Sequence, residues 1–139
     1  MKKIFILNGP NLNLLGSRKV EIYGRQNFED FFTDLKAQNT EVELSHFQTN
    51  LEGELIDQLQ TADQKTDGII LNAGGYSHTS VAIADAVAAI STPVIEVHIS
   101  QPKAREKERQ FSLLSKACIG SISGFGLSSY QLAIDYFTL

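Results

Sequence analysis

The sequence contains few of the residues that build cross-linked or metal-rich proteins. It has one cysteine and no tryptophan among 139 residues. A single cysteine excludes an internal disulfide and any metal site made of several cysteines. We therefore interpret Cys118 as a small core residue rather than a reactive thiol.

Long apolar runs and dense positive charge are also missing. The longest apolar tract, residues 81–90, is interrupted by Asp85 and is too short to span a bilayer. The apolar run behind the first two lysines is too short for a signal peptide. The net charge is −4 and no basic cluster is dense enough to follow a phosphate backbone, so we expect neither a nucleic-acid nor a membrane partner. We expect one soluble, cytoplasmic domain over residues 1–139.

What is present is an alternation of strand-like and helix-like segments. Short apolar runs of β type recur at 4–7, 42–47, 68–71, 93–97 and 119–122. Helical patterns lie behind an Asn27 cap, at 52–60, at 81–90 behind Ser80, at 130–136 behind Ser128 or Ser129, and in part of 104–116. Such alternation favours right-handed parallel βαβ units. We predict an α/β fold: a flavodoxin-like, doubly wound, five-stranded parallel sheet with helices on both faces.

Polar segments follow three of the predicted strands. The first strand is followed by NGPNLN, the third by NAGGYSHTS and the fourth by HIS. Because the carboxyl ends of parallel strands meet at one edge of a sheet, we expect these segments to gather around a ligand. The amides of Asn8, Asn11 and Asn13 suit ligand oxygens, although asparagine is also an ordinary turn former. The second segment places backbone amides before a helix, which favours anionic or hydroxyl-rich ligands, but its Ser and Thr are also ordinary caps.

The fourth strand carries a carboxylate two residues before a histidine. The period of two along a strand puts Glu96 and His98 on the same side. A carboxylate there can orient the imidazole and hold its proton, which suits a general acid. The alternative is that His98 merely ends the strand while Glu96 meets solvent.

Tyr23 shares a short, glycine-bounded segment with three cations, Arg18, Lys19 and Arg25. A phenol has a pKa near 10, and making it a base near neutral pH costs about 4 kcal/mol. A desolvated guanidinium within hydrogen-bond reach supplies much of that lowering of the pKa. Residues 16–25 could then form a lid that delivers the pair, and the alternative is a solvated loop with a packed aromatic ring.

These segments together resemble a known family, the type II 3-dehydroquinate dehydratases. The resemblance runs from residue 4 to about 133, through NGPNLNLLG, EIYG, NLEGELID, NAGGYSHTS, IEVHIS and AREKERQ in order. It implies a flavodoxin-like catalytic domain that dehydrates 3-dehydroquinate to 3-dehydroshikimate in the shikimate pathway. It also implies that neither a metal nor an organic cofactor takes part.

The resemblance implies a role for each of five catalytic residues. Tyr23 is the base that removes a proton from the carbon beside the ketone, and Arg18 lowers the pKa of that tyrosine. Asn11 supports the enolate, with a water as the expected intermediary. His98 protonates the leaving hydroxyl, and Glu96 positions this histidine.

The resemblance also implies how the substrate is held. Asn72 holds the region of the tertiary hydroxyl, and the backbone amides of Ile99 and Ser100 take the carboxylate. His78 and Arg109 match residues that bind the ring hydroxyls on the far side.

One further implied residue concerns assembly. Asp85 matches an aspartate that reaches toward a neighbouring subunit's site, in a family of trimers assembled into dodecamers. Solvent exposure alone would also explain an acid in that apolar helix.

The chain departs from the family pattern in two places. Lys19-Val20 stands where most members have Glu-Pro, which removes an expected ion pair of the lid and adds positive charge near Tyr23. Residues 101–105, QPKAR, replace the usual Asn-x-His-Ala-Arg. The first departure bears on lid closure and the second on this loop and its subunit contacts.

Three other classes fit the sequence less well. A flavodoxin-type electron carrier needs a phosphate-binding loop after the first strand, where this chain has Pro10 and asparagines. It also needs aromatic rings that flank the flavin, and this chain has no tryptophan. A receiver-type signalling module needs an aspartate cluster at the strand ends. A Schiff-base dehydratase needs a desolvated lysine, and no predicted strand carries one in its interior.

Overall fold

The computed structural model describes residues 1–17, 21 and 26–139, and its described strands form one parallel sheet. These strands are β1 Lys2–Asn8, β2 Val42–Gln48, β3 Gly68–Asn72, β4 Val94–His98 and β5 Gly120–Ser123. Their order in the sheet is β2-β1-β3-β4-β5, and every neighbouring pair is parallel. This is the flavodoxin-like order, so the predicted fold class and all five predicted strands are confirmed.

Helices cover both faces of the sheet. Those within the described ranges are α1 Phe28–Gln38, α2 Glu52–Ala62, α3 Val81–Ala89 and α4 Ser128–Phe137. Ile4 and Ile6 of β1 pack with α1 and α4, whereas Phe5 and Leu7 pack with α2 and α3. The division follows from the alternation of side chains along a strand. No helix in this described part of the chain has both the length and the apolar character needed to cross a membrane.

Two of the three predicted helix caps are confirmed. The side chain of Asn27 accepts a hydrogen bond from Asp30 N at 2.8 Å, and that of Ser80 accepts one from Ile83 N at 2.9 Å. The third prediction is wrong, because Ser128 and Ser129 lie inside α4. There the first turn is started by backbone bonds that follow Gly126, a residue in the left-handed region with φ of 61°.

The helical pattern predicted within 104–116 becomes short 3-10 turns instead of an α-helix. Lys107–Arg109 and Ser115–Ala117 each form one such turn. Between them the side chain of Ser112 accepts from Leu114 N at 3.2 Å, which competes with helical backbone bonding. Residues 104–116, called the strap below, therefore form an irregular connection between β4 and β5. The strap places Ser112 and Ser115 beside Glu96 of β4.

Cys118 lies at the edge of the core, half-buried against the layer formed by α2 and α3. Burial, together with the nearby carboxylate of Glu96, raises the pKa of the Cys118 thiol to about 12. The side chain is therefore a protonated, apolar packing group, as the sequence analysis predicted.

Candidate active site

A cleft of about 400 Å³ lies beyond the carboxyl ends of β1, β3 and β4. It sits where the strand order places β1 beside β3, the switch point at which doubly wound sheets bind ligands. The three polar segments predicted to meet do meet there. The predicted site residues that line the cleft are Asn11, Asn72, His78, His98, Ile99, Ser100 and Arg109.

Two glycines allow the ends of β1 and β3 to approach each other closely. Gly9 N donates to Asn72 O at 2.7 Å, and a Cβ at Gly9 would lie 2.6 Å from Ala73 O. Gly74 faces the Pro10 carbonyl with φ of 59°, a conformation that favours glycine. The floor of the cleft is therefore set by backbone packing.

Asn8 lies beneath this floor, paired across β1 and β3 with Asn72, which lines the cleft; both side chains are buried. The Tyr130 hydroxyl, from α4, donates to Asn8 Oδ1 at 2.8 Å and accepts from Asn72 Nδ2 at 2.9 Å. The Asn72 Oδ1 atom in turn accepts from Gly74 N at 3.2 Å. Burial raises the pKa of Tyr130, so its hydroxyl stays protonated and able to donate.

This network changes the interpretation of the opening asparagines. Asn8 was expected to bind ligand oxygens, and this expectation is wrong because its side chain is fully buried beneath the cleft. Asn11 is exposed in the left-handed region with φ of 68° and lines the cleft. Tyr130 was missed, because in sequence it is simply one large residue on the apolar side of a helix.

His98 and Glu96 form a close polar pair at the end of β4. His98 Nε2 lies 2.5 Å from Glu96 Oε2, and Glu96 is only 1% exposed. The alternative that Glu96 meets solvent is therefore wrong. The Glu96 carboxylate also accepts from the hydroxyls of Ser112 and Ser115, each at 2.6 Å.

These contacts determine which atoms carry protons. Burial alone would raise the pKa of Glu96, but hydrogen bonds from His98, Ser112 and Ser115 outweigh it and lower the pKa. An ionised carboxylate can only accept, so His98 Nε2 donates to it. The other ring nitrogen, Nδ1, is then the one left for a ligand in the cleft.

His78 stands beside this pair. Its Nδ1 lies 2.8 Å from the Phe111 carbonyl, which can only accept, so Nδ1 carries a proton. Its ring stacks near that of His98, with centroids 6.0 Å apart and planes at 22°. Leu113 N donates to Ser77 O at 2.8 Å and ties the same two segments together. In neutral His78, Nε2 is then an acceptor suited to a ligand hydroxyl.

Two guanidinium groups give the cleft positive charge. Arg109 is 32% exposed and pairs with Glu106, whereas Arg105 is 14% exposed and lies 3.4 Å from Ser100 Oγ. The sequence analysis assigned a role to Arg109 and none to Arg105, although both belong to the same charged run. The cleft residues Tyr76 and Thr79 were missed as well.

The remaining predicted site residues, apart from Glu96, are two that lie outside the described residues and one that lies elsewhere in the fold. Arg18 and Tyr23 lie outside the described residues, as does most of the predicted lid at 16–25. Asp85 is exposed on α3 and lines a separate groove of about 410 Å³ with Leu113 and Lys116. Its expected role toward a neighbouring subunit stays a prediction.

The described cleft thus combines an anchored imidazole, strand-end backbone and two cations. Such a set suits an anionic, hydroxyl-rich ligand and the delivery of a proton to it. Among the described residues, no group of three or more His, Cys, Asp and Glu side chains is placed to hold a metal ion.

Comparison with known proteins points to one family. Residues 2–138 match the family model described as dehydroquinase class II. The chain is 50% identical over 143 residues to a 3-dehydroquinate dehydratase of Bacillus licheniformis, with 99% of this chain and 96% of that protein covered.

Solved structures give the same picture. A type II dehydroquinase from Butyrivibrio crossotus superposes with a TM-score of 0.95 at 42% identity, covering 99% of this chain and 98% of that one. A type II dehydroquinase from Propionibacterium acnes also reaches a TM-score of 0.95, at 36% identity, covering 100% of this chain and 98% of that one. The likeness in sequence and in fold therefore extends over almost the whole chain.

Proposed function

The chain belongs to the class II dehydroquinase family, and we propose that it dehydrates 3-dehydroquinate through an enolate, with Tyr23 as base and His98 as acid. Membership of the family gives the reaction itself, removal of water from 3-dehydroquinate in the shikimate pathway. The enolate and the roles of individual residues are proposals. The observation that carries them is the convergence of seven predicted residues on one cleft, six from the ends of three strands and Arg109 from the strap.

The acid step is supported by the pair at the end of β4. Elimination needs a proton on the departing hydroxyl, and an imidazolium can supply it. Glu96 accepts from Nε2, which leaves Nδ1 of His98 as the donor facing the cleft. A buried carboxylate opposite Nε2 stabilises the positive ring before transfer and holds it in one orientation afterwards.

The base step is assigned by the EIYG motif and by the chemistry of the substrate. The ketone acidifies the hydrogen on its neighbouring carbon, so a phenolate at Tyr23 can remove that proton before the hydroxyl leaves. Arg18 would lower the pKa of Tyr23, and Asn11 would support the enolate oxygen through a water. Neither metal nor organic cofactor is required in this scheme.

The remaining cleft residues are proposed to hold the substrate. The backbone amides of Ile99 and Ser100 lie at the end of β4, where a carboxylate would be bound by N–H donors. Asn72 would hold the tertiary hydroxyl region, and its side chain is fixed by Tyr130. His78 and Arg109 line the same cleft and are proposed to bind the ring hydroxyls.

Assembly is proposed from the resemblance alone. Asp85 would reach the cleft of a neighbouring subunit in a dodecamer built from trimers. The dodecamer and the cytoplasmic location stay predictions, which gel filtration with light scattering and cell fractionation would test.

The test is turnover of 3-dehydroquinate, followed by the ultraviolet absorbance of the conjugated enone product. We expect Tyr23→Phe and His98→Ala each to lower kcat by about 10²–10⁴-fold, the usual contribution of a general acid or base. Arg18→Ala should move the limb of the pH–rate profile that belongs to the base toward higher pH.

Matched controls separate chemistry from folding. Tyr136→Phe removes a phenol hydroxyl from the exposed side of α4, and His46→Ala removes an imidazole from β2. Neither residue lines the cleft, so both variants should keep kcat within about 2-fold. Near wild-type turnover by Tyr23→Phe would overturn the assignment of the base.

A further inference from the structure

The strap between β4 and β5 delivers two hydroxyl groups to one buried carboxylate. The Ser112 hydroxyl lies 2.6 Å from Glu96 Oε2, the oxygen that also faces His98. The Ser115 hydroxyl lies 2.6 Å from the second oxygen, Oε1. Each oxygen of Glu96 is therefore held by at least one serine.

The direction of these hydrogen bonds is fixed by their surroundings. Ser112 Oγ accepts from Leu114 N at 3.2 Å, so its own hydroxyl hydrogen is directed to Glu96. Ser115 begins a 3-10 turn and donates to the other oxygen. Donors on both oxygens prevent rotation of the carboxylate plane, and they stabilise its negative charge in a site where Glu96 is almost completely buried.

Without these donors, a buried carboxylate would compete with the histidine for the shared proton. A proton that moves from His98 to Glu96 leaves a neutral imidazole, which is a much weaker acid toward a leaving hydroxyl. The serines oppose this transfer because a hydrogen bond donated to an ionised carboxylate is stronger than one donated to a neutral carboxyl group.

We propose that Ser112 and Ser115 are positioning residues of the dehydration, which hold Glu96 so that His98 keeps both of its protons and presents Nδ1–H to the leaving hydroxyl. The inference rests on the proposed role of His98 as the acid. Neither serine contacts the cleft, so both act through Glu96.

Other charged and titratable groups surround the pair and form the background of any pH measurement. The His78 ring stacks at 6.0 Å from that of His98. Arg109 and Lys103 line a small cavity of about 120 Å³ behind His98, and Arg105 lines the cleft in front. The Cys118 thiol is protonated near neutral pH. Single serine substitutions leave all of these groups in place.

The experiment is a double-mutant cycle on kcat. We expect Ser115→Ala to lower kcat about 10-fold with KM within 2-fold, and Ser112→Ala to do the same. In the Glu96→Gln background, Ser115→Ala should change kcat less than 2-fold, because the serine acts through the carboxylate. Equal losses in both backgrounds would overturn the proposal.

The pH profile gives a readout that a merely structural role would not change. Loss of a serine donor favours the inactive arrangement with the proton on Glu96, so the plateau of kcat falls. The high-pH limb should then move to higher pH, by about one pH unit for a 10-fold fall in the plateau, since the pair as a whole binds its proton more tightly. A limb that stays in place or moves to lower pH would contradict the proposal.

A control and a second variant keep the test decisive. Ser123→Ala removes a hydroxyl from the same rear cavity, but that hydroxyl donates to Gln101 rather than to Glu96. It should retain kcat within 2-fold. Ser115 is exposed, so Ser115→Ala should fold even if Ser112→Ala does not. If His98→Ala is inactive while both serine variants match wild type, this inference fails and the proposed function stands. If the wild-type protein does not turn over 3-dehydroquinate, the proposed function itself is refuted.

Discussion

Replacing Tyr130 by phenylalanine should destabilise the protein more than any other single-atom deletion on α4. The Tyr130 hydroxyl joins Asn8 Oδ1 at 2.8 Å to Asn72 Nδ2 at 2.9 Å, and all three side chains are buried. The phenylalanine ring would keep the packing against Phe28 and Phe31, whose centroids lie 5.3 and 5.9 Å away. The change therefore isolates the polar contribution.

The size of the destabilisation follows from the buried polar atoms that lose their hydrogen-bond partners. Asn8 Nδ2 is already a buried donor without a hydrogen-bond partner in the described chain, so Asn8 would have both side-chain atoms unpaired after the substitution. Asn72 would lose one donor contact at the same time. A buried polar group without a partner costs about 1–3 kcal/mol, so the two lost contacts should lower the free energy of unfolding by about 2–4 kcal/mol.

The assay is urea denaturation followed by circular dichroism, at one fixed protein concentration. Tyr136→Phe is the matched control, since its hydroxyl lies on the exposed part of the same helix and its loss should cost under about 0.5 kcal/mol. Tyr130→Phe should also lower kcat/KM, because Asn72 loses the contact that fixes its amide. Equal free energies of unfolding for the two variants would refute the claim that the hydrogen bonds of Tyr130 stabilise the fold.

Further expectations concern pH, the thiol and the glycines. Burial raises the folded-state pKa of Tyr130 above its unfolded value, so above about pH 10 the unfolded chain releases this proton first and stability should fall with pH. Cys118 adds a slope of its own in both proteins, so in unfolding titrations from pH 10 to 11 the slope of wild type should be steeper than that of Tyr130→Phe by about 1.4 kcal/mol per pH unit, and equal slopes would refute the argument. Cys118 should react with a disulfide reagent at pH 8 roughly 10³-fold more slowly in the native state than in urea, and equal rates would contradict its raised pKa. Gly9→Ala should cost about 1–3 kcal/mol in a thermal or urea melt, because its Cβ would meet Ala73 O at 2.6 Å. Gly53→Ala, in open space on α2, should be neutral or stabilising, and a larger loss there would count against the steric argument.

Features set by neighbouring residues could be predicted from the sequence. The apolar runs gave all five strands, and the side-chain caps at Asn27 and Ser80 lie three residues from the amides that they accept from. Glu96 and His98 lie two residues apart on a strand, so their contact follows from the period of the strand alone. Each of these predictions depends on geometry within one element.

Individual side-chain contacts between distant residues could not be predicted. Tyr130 reaches Asn8 across 122 positions, and no local pattern distinguishes it from an ordinary core residue. Ser112 and Ser115 lie 16 and 19 positions from Glu96, in a segment predicted to be helical in part. Ser128 and Ser129 failed as caps for a related reason: backbone bonds from Gly126 and Leu127 start α4 before either serine could cap it, so both lie inside the helix.

The long-range contacts share one physical property, which explains why they matter for the site. Each joins a strand end at the cleft to an element elsewhere in the chain: α4 holds Asn72 through Tyr130, and the strap holds Glu96 through its serines. A polar side chain buried near a ligand must be satisfied by the protein itself, since solvent cannot reach it. The residues that touch the ligand can therefore be found from a motif at a strand end, but the residues that hold them in place depend on how the whole chain folds. Substitutions at Tyr130 and Ser115 should accordingly affect turnover although neither residue lines the cleft.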